Sequence, residues 1–439
     1  MLSKEDNELM CCVGPETPMG DALRRYWLPA LLSSDLPHPD CDPKRVRLVG
    51  EDFIAFRDTK GRIGFLDEYC RHRSASLALG RVEDCGIRCI YHGWKFAYDG
   101  TVLETPNVED PDFKTRFKAR AFPAREAGGF IWVYLGPVEK EPPFPHYSWF
   151  DLPASHVVTT VHHGECNFVQ IMEGLVDSSH LGLLHMDGLK KTDTSDLTFA
   201  KKTNTMQFNL APKLEAEDAP YGFNYVALRN ISDAQGQRIE ARVTAFVAPC
   251  FIFNPNGDLI TIVVPADDEA SYFFHAFWDA EKKLNEEPLR SQHLSFIGLD
   301  DATLHRFGID LGNVDPGRPN RANNFLQDRE GMRSGRTFSG LPGFVQEDIA
   351  VSVASGPTRD RSRETLSAAD VAVGRLYRVL INSARRVKDG GDPVGIDPAI
   401  DTNAIKGAAA VLRSGQAWQS LVPSAATLTR AAREPAGAK

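Results

Sequence analysis

A cysteine, one spacer residue and a histidine, Cys70-Arg71-His72, are followed by a cysteine, two spacers and a histidine, Cys89-Ile90-Tyr91-His92. Each half supplies one thiolate and one imidazole, as two irons of different ligation require. That is the donor set of a [2Fe–2S] cluster in which two histidines replace two of four cysteines. Imidazole puts less negative charge on such a cluster than thiolate does. Its potential then rises to roughly −150 to +300 mV, which suits it to accept and pass on single electrons. A structural zinc site uses the same donors, but it usually pairs Cys with Cys and His with His along the chain. The motif also constrains the fold, because two rigid loops must meet at one point. Strand-like Ile87 to Tyr91 leads into His92-Gly93-Trp94, and Trp94 to Tyr98 meets Asp99-Gly100, a strong hairpin signal.

Further short β-like runs at Val46 to Phe56, Ile63 to Leu66, Val102-Leu103 and Phe130 to Leu135 predict a small all-β unit around this motif. Gly136-Pro137 and Glu141-Pro142-Pro143-Phe144-Pro145 break helix and strand alike and mark its end. Residues 1–140 are therefore assigned to the cluster domain with an N-terminal segment, and residues 150–390 to a second domain. Strands are expected there at Val157 to Val161, Phe223 to Leu228, Ile239 to Val247, Leu259 to Val264 and Tyr272 to Trp278. Helices are expected at about Asn167 to Leu184 and Ala368 to Lys388; Ser367 and Asp370 form a capping-box-like start to the latter. Residues 391–439, rich in Ala, Gly, Pro and Ser, read as a loosely packed C-terminal extension.

The chain has 439 residues, enough for two or three domains with sizeable cores. A net charge of −9 argues against nucleic acid, whose phosphates call for a basic surface. Eight cysteines are spread along the chain rather than packed into a small secreted scaffold, the first residues lack the apolar core of a signal peptide, and no segment approaches the ~20 apolar residues of a membrane span. A cytoplasmic protein with reduced thiols and no membrane contact is expected.

A second motif lies in the first expected helix: Glu173-Gly174-Leu175-Val176-Asp177-Ser178-Ser179-His180-Leu181-Gly182-Leu183-Leu184-His185. Two histidines near acidic residues suggest the 2-His-1-carboxylate triad of a non-haem Fe(II) oxygenase, which leaves coordination positions open. Asp177 and His180, three apart, share a helix surface. His180 and His185, five apart at ~100° per residue, point about 140° away from each other on a straight helix. Both reach one metal only if the helix bends, widens or ends between them, and Gly182 is the residue placed to allow it.

Taken together, these segments resemble the oxygenase α subunit of Rieske non-haem iron ring-hydroxylating systems, in particular the phthalate-dioxygenase-like branch. The likeness runs from Met1-Leu2-Ser3 through Gly14-Pro15-Glu16-Thr17-Pro18-Met19-Gly20 and Arg24-Arg25-Tyr26-Trp27-Leu28-Pro29, and through Asn323 to Glu330 and Gly356-Pro357, to the helix ending near Lys388. It implies an α+β chain: an N-terminal all-β Rieske domain, then a catalytic domain of antiparallel sheet plus helices (helix-grip, START-like). Cys70, His72, Cys89 and His92 fall on the cluster ligands, and Asp177, His180 and His185 on the Asp-x-x-His-x-x-x-x-His motif. The third iron ligand lies ahead of the C-terminal helix, in Phe344 to Val351. Asp348 is chosen, with Glu347 as the fallback and Asp310, Asp315 and Asp328 behind it. Two positions depart from the family pattern: Arg71 replaces the usual Pro, and Ser74 the usual Gly two residues after His72.

The resemblance further implies O₂ as co-substrate and electrons from NAD(P)H through a separate flavin/iron–sulfur reductase. It implies a cyclic homotrimer or dimer of trimers, with Asp177 bridging the cluster of one subunit to the iron of the next. The substrate expected is a small aromatic, phthalate- or benzoate-like, undergoing dihydroxylation. O-demethylation of a methoxylated aromatic acid is the alternative, and a Rieske electron carrier without oxygenase activity the remote one. A basic residue should bind the substrate anion. Arg229 and Arg242 lie on strand candidates, and alternation puts Arg242, Thr244 and Phe246 on one face. Apolar lining is expected from Leu175, Val176, Phe251, Phe253 and Phe273.

Overall fold

The computed structural model describes residues 2–190, 210–233, 236–307 and 317–428. Ten strands form three small antiparallel sheets in the N-terminal unit. Strand β1 (Trp27–Leu32) pairs with β10 (Phe130–Tyr134), which pairs with β9 (Ala124–Ala127); β2 (Lys44–Leu48), β3 (Glu51–Arg57) and β4 (Ile63–Asp67) form the second sheet. The third joins β5 (Arg81–Glu83), β6 (Gly86–Arg88), β7 (Lys95–Ala97) and β8 (Val102–Glu104). The β7–β8 turn is the expected Asp99-Gly100 pair: Gly100 has φ +80° and its N–H donates to the Ala97 carbonyl.

Strand β3 shows how one segment serves two cores. Phe53, Ile54, Ala55 and Phe56 are all buried, but alternation sends Phe53 and Ala55 into the main core and Ile54 and Phe56 into a smaller one with Leu77, Ile87, Trp94 and Phe96. The smaller core lies beneath the two cluster loops. The main core is continuous with the second domain, where the Phe130 ring meets Phe274 edge to face at 5.7 Å.

In the second domain β11 (Val157–Gly164), β12 (Lys213–Ala219), β13 (Gly222–Asp233), β14 (Gly236–Val247), β15 (Phe251–Phe253), β16 (Leu259–Pro265) and β17 (Ser271–Trp278) form one antiparallel sheet in the order β11-β17-β16-β15-β14-β13-β12. All five expected strands are present. Six helices matter here: α1 (Lys4–Cys11), α2 (Phe168–Leu175), α3 (Leu181–Leu184), α4 (Met186–Lys190), α5 (Phe344–Ala354) and α6 (Val371–Lys388). Helix α6 buries Ala372, Val373, Leu376, Tyr377, Leu380 and Ala384, a stripe at helical spacing that packs across β12 and β13. The Ser367/Asp370 capping box precedes it. Helix α1 also contacts α6, so the N-terminal segment lies on the second domain. The fold is α+β, an all-β unit followed by antiparallel sheet and helices.

One expectation is corrected. The residues after Gly391 are not a loose extension as far as residue 428, because Ala408–Leu412 forms a strand, β18, on β14. Strand β15 covers only residues 245–247 of β14, and β18 takes up the edge at residues 239–243. Small side chains fit that gap, and a Cβ at Gly407 would lie 2.0 Å from the Asn254 carbonyl oxygen. Trp418 is buried beside this strand and donates its indole N–H to Glu215 at 3.0 Å. An Ala-rich strand carries little hydrophobic signal, which is why composition alone reads it as loose.

Candidate metal centres

The two cluster loops share a backbone plan. Ser74 N–H donates to the Cys70 carbonyl at 2.9 Å, and Gly93 N–H to the Cys89 carbonyl at 3.0 Å. Both donors have positive φ, +53° at Ser74 and +76° at Gly93. The Gly-to-Ser departure therefore falls at a left-handed position, where a side chain costs about 1 kcal/mol. The loops bring the His72 and His92 rings to 4.5 Å, and His72 stacks on Trp94, whose indole N–H is fixed by Asn107 at 2.7 Å.

Cys70 and Cys89 are buried beside these rings. His72 Nδ1 is buried without a hydrogen-bond partner. An orphaned imidazole nitrogen beside two buried thiols fits a metal ligand and is costly otherwise. Burial, and then the neighbouring Cys89, push the Cys70 thiol up to about 11. Burial and His92 lower His72, favouring the neutral, ligating imidazole. Outside this core the tip is exposed and apolar at Ile90 and Tyr91, with exposed Arg71 and Arg73 beside them.

The second motif does not form the single helix expected over Asn167 to Leu184. Helix α2, capped by the Asn167 side chain on Val169 N–H, stops at Leu175. The chain then turns through Val176–His180 before α3, and His185 (φ −91°, ψ 18°) interrupts it again before α4. Gly182 is not the break; it lies buried inside α3. The cause is Asp177-Ser178-Ser179. Asp177 Oδ1 accepts both Ser179 N–H and Ser179 O–H at 2.7 Å, a local side-chain alternative to the helical hydrogen bond. This break brings the His180 and His185 rings to 5.1 Å.

Helix α5 delivers the carboxylate. Asp348 Oδ1 lies 3.0 Å from His185 Nε2 and 3.6 Å from His180 Nε2, and one ligand atom of each of the three residues falls within 4.8 Å of the others. The donors and their open side fit the 2-His-1-carboxylate arrangement. Glu347 does not share this position: its Oε2 is 2.7 Å from His185 Nδ1, on the far side of the ring. Asp328 caps an exposed helix and pairs with Arg336, while Asp310 and Asp315 lie outside the described residues. Asp177 Oδ2 is 3.2 Å from His180 Nδ1. Burial opposes charge on His185, but Asp348 and Glu347 outweigh it and hold the metal-free imidazolium up to about 10. Burial likewise opposes charge on Asp348 and Asp177, and the histidines, with Ser179 for Asp177, outweigh it and lower both.

A cavity of about 140 Å³ opens on these three residues. It is also lined by Arg242 and Asn256, whose Oδ1 accepts from Arg242 Nη2 at 2.5 Å, and by the apolar side chains of Leu175, Phe273, Phe277 and Phe344. Arg242 and Thr244 of the alternating face line the cavity, as do Leu175 and Phe273, whereas Phe246 stacks on Phe223 in the main core. Four expectations for lining are corrected. Arg229 is buried behind the cavity and donates through Nη2 to Ser178 O and Oγ at 3.1 and 3.0 Å, bracing the turn that carries His180. Val176, at the end of α2, points into the main core. Phe251 stacks on Trp132 at 6.1 Å and lines a separate cavity with Tyr147; Phe253, two residues on and so on the same face of β15, also meets Tyr147. Sequence reading missed His275, which lies between Phe273 and Phe277 on one face of β17, lines the cavity, and is driven down to about 3 by burial. The period-2 pattern around Phe273 could have found it.

Two iron-type sites of different ligation, one on an all-β domain and one under an antiparallel sheet, define a Rieske non-haem iron oxygenase. Family models match on both counts: Rieske [2Fe-2S] domain over residues 26–122 and LigXa C-terminal domain like over residues 133–434. The chain is 37% identical over 405 residues to the phthalate 4,5-dioxygenase oxygenase subunit of Pseudomonas putida, covering 90% of this chain and 89% of that one. It is 28% identical over 420 residues to the 5,5'-dehydrodivanillate O-demethylase oxygenase subunit of Sphingobium sp., covering 91% and 85%. The crystal structure of dicamba monooxygenase bound to dicamba superposes with TM-score 0.55 at 17% identity, covering 84% of this chain and 99% of that one, and supports the fold. The chain belongs to the oxygenase α subunits of the Rieske non-haem iron aromatic ring-hydroxylating family, in the phthalate-dioxygenase-like branch. Its cofactors are a Rieske [2Fe–2S] cluster and a mononuclear non-haem iron.

Proposed function

We propose that this chain is the terminal oxygenase of a system that dihydroxylates a carboxylated aromatic substrate, with Cys70, His72, Cys89 and His92 holding the cluster and His180, His185 and Asp348 the mononuclear iron. The observation that carries the substrate class is one cavity lined both by the triad and by buried Arg242, with apolar side chains among its other walls. Arg242 is 3% exposed, and although burial lowers it to about 10 it is still a cation at neutral pH. Its Nη1 lies 3.8 Å from the buried Glu240 carboxylate, a charge contact too long for a hydrogen bond, and a substrate carboxylate beside the guanidinium would add charge-assisted hydrogen bonds to it. That anchor would direct the opposite edge of the ring toward His180, His185 and Asp348. The walls orient the ring and exclude water.

When bound, the two iron groups supply single electrons and activation of O₂. A separate reductase delivers the electrons, as for other oxygenase subunits of multicomponent systems, and NAD(P)H is its expected source. Asp177 is placed to connect the centres, since one carboxylate oxygen already holds the His180 imidazole. Beside it a second groove reaches His180 and Asp348; Glu173, Asp177, Asp348, Glu364 and Asp370 line it together with Arg359, which pairs with Glu173 at 2.8 Å and Glu364 at 3.6 Å, so acidic groups outnumber the one cation. Its acidic lining complements the exposed Arg71–Arg73 tip around the cluster, which supports a cyclic trimer in which one subunit's cluster sits in its neighbour's groove. Among the described residues no helix is long and apolar enough to cross a membrane, and the eight cysteines are unpaired, which supports a cytoplasmic location.

The test is a turnover screen of benzoates, phthalates and methoxybenzoates with a surrogate reductase, scoring diol against formaldehyde. A diol from a carboxylated ring is expected. Arg242→Met should raise KM for that substrate about 30-fold and leave kcat nearly unchanged, in line with loss of a buried charge pair. Formaldehyde from a methoxy substrate, with no diol from any other, would favour O-demethylation, which the same cavity serves. Full affinity in the Arg242 variant would remove the carboxylate anchor.

A further inference from the structure

Each imidazole of the triad has a carboxylate behind it, and the two carboxylates are held differently. Behind His180, the Asp177 side chain is 21% exposed and edges the acidic groove. Behind His185, the Glu347 side chain is 4% exposed, with Oε2 at 2.7 Å from His185 Nδ1. Its other oxygen, Oε1, accepts the Ser339 hydroxyl at 2.5 Å, and that hydroxyl is held in turn by Leu341 N–H at 3.1 Å. Glu347 therefore has both oxygens engaged on protein groups. Because it immediately precedes Asp348 on α5, one helix grips His185 at both nitrogens: Glu347 at Nδ1, Asp348 at Nε2.

We infer that Glu347 is a positioning residue, the buried carboxylate that fixes His185 as its Nδ1–H tautomer and sets how tightly the mononuclear centre holds its ion. The inference rests on the reading of His180, His185 and Asp348 as ligands. A carboxylate only accepts, so the short contact keeps a hydrogen on Nδ1, and Nε2, on the Asp348 side, is the nitrogen that gives up its hydrogen when a cation binds. The negative charge behind the ring raises its basicity toward a cation, and removal of such a partner typically weakens metal binding 10- to 100-fold. The two supports then divide the work. Asp177, at the groove, serves the connection between centres; Glu347, sealed away from it, serves retention of the ion.

The test uses full-length protein with its cluster assembled and Co(II) as the probe, with affinity read by competition with a chelator. The cluster's visible spectrum and the thermal melt report folding. Glu347→Leu should bind Co(II) about 10- to 100-fold more weakly. Glu347→Gln, which keeps an acceptor oxygen and loses the charge, should fall between, with a shifted Co(II) absorption band, and Glu347→Asp should recover part of the loss. If the leucine variant does not fold, the nearly isosteric glutamine variant decides. Tight Co(II) binding by wild type with unchanged affinity and band in Glu347→Gln would overturn the inference alone. Wild-type protein that takes up no Co(II), or takes up as much after His185→Ala, would overturn the reading of the triad and the inference with it.

Discussion

The cluster loops draw all four donors from the stretch between Cys70 and His92; the first loop is closed by the Tyr69–Ser76 bridge between β4 and β5, and the second caps the β6–β7 hairpin. The mononuclear centre draws two donors from a helix broken by its own side chains and the third from α5, more than 160 residues on (348 − 185 = 163). The first centre is therefore local, rigid and tolerant of what lies elsewhere. The second depends on long-range packing of α2 and α5 against the sheet and on the Asp177–Ser179 turn. Local construction puts the cluster at an exposed tip where it can meet partners; non-local construction sets the iron site between an internal cavity and a groove.

That contrast predicts that the centres can be lost separately. His185→Ala should lower turnover by more than about a thousandfold while leaving the cluster's visible spectrum intact. Cys89→Ser should bleach the cluster yet leave Co(II) uptake by the triad unchanged. Loss of both centres in either variant would break the comparison.

A smaller effect separates them by pH. In the metal-free fold His185 keeps its proton up to about 10 against an ordinary 6.5, because Asp348 and Glu347 outweigh the burial penalty. A metal must displace that proton, so apparent Co(II) affinity should fall about tenfold for each unit that pH drops below about 10. The sign for stability is opposite. The raised pKa stabilises the metal-free fold fully below about 6.5, and that contribution is lost as pH rises through about 10. Thermal melts of metal-free protein between pH 6 and 10 check this, and a melt that rises over the interval would contradict it. The smallest effect belongs to the cluster loop. Ser74→Gly should relieve the left-handed backbone and stabilise the folded protein by up to about 1 kcal/mol, read from the denaturation midpoint.

The same contrast explains what was legible in the sequence. The Asp99-Gly100 hairpin beside the cluster motif and the period-2 strands of the catalytic sheet are local patterns, and each is found in the structure where expected. The helix break was anticipated from the five-residue spacing of His180 and His185 but placed at Gly182; the cause is a hydrogen-bonding choice by Asp177 and Ser179 that backbone propensity does not show. Phe251 and Val176 are apolar residues whose partners lie far along the chain, so alternation gives their face but not what covers it. Arg229 immediately follows the Phe223 to Leu228 stretch read as strand, and its use as a brace for Ser178 depends on tertiary position. Glu347 beside Asp348 is an acidic pair in sequence. Only the fold shows one facing the open side of the triad and the other sealed behind His185.

The central claim is that two centres built so differently work as one circuit through Asp177. It is tested most directly by the rate at which pre-reduced cluster re-oxidises when substrate and O₂ are added, wild type against Asp177→Asn, with cluster spectrum, iron content and oligomeric state held equal. The account predicts up to about a 100-fold slower re-oxidation in the variant, the effect of losing a carboxylate that orients ligating imidazoles. Re-oxidation at the wild-type rate, with both centres loaded, would contradict it.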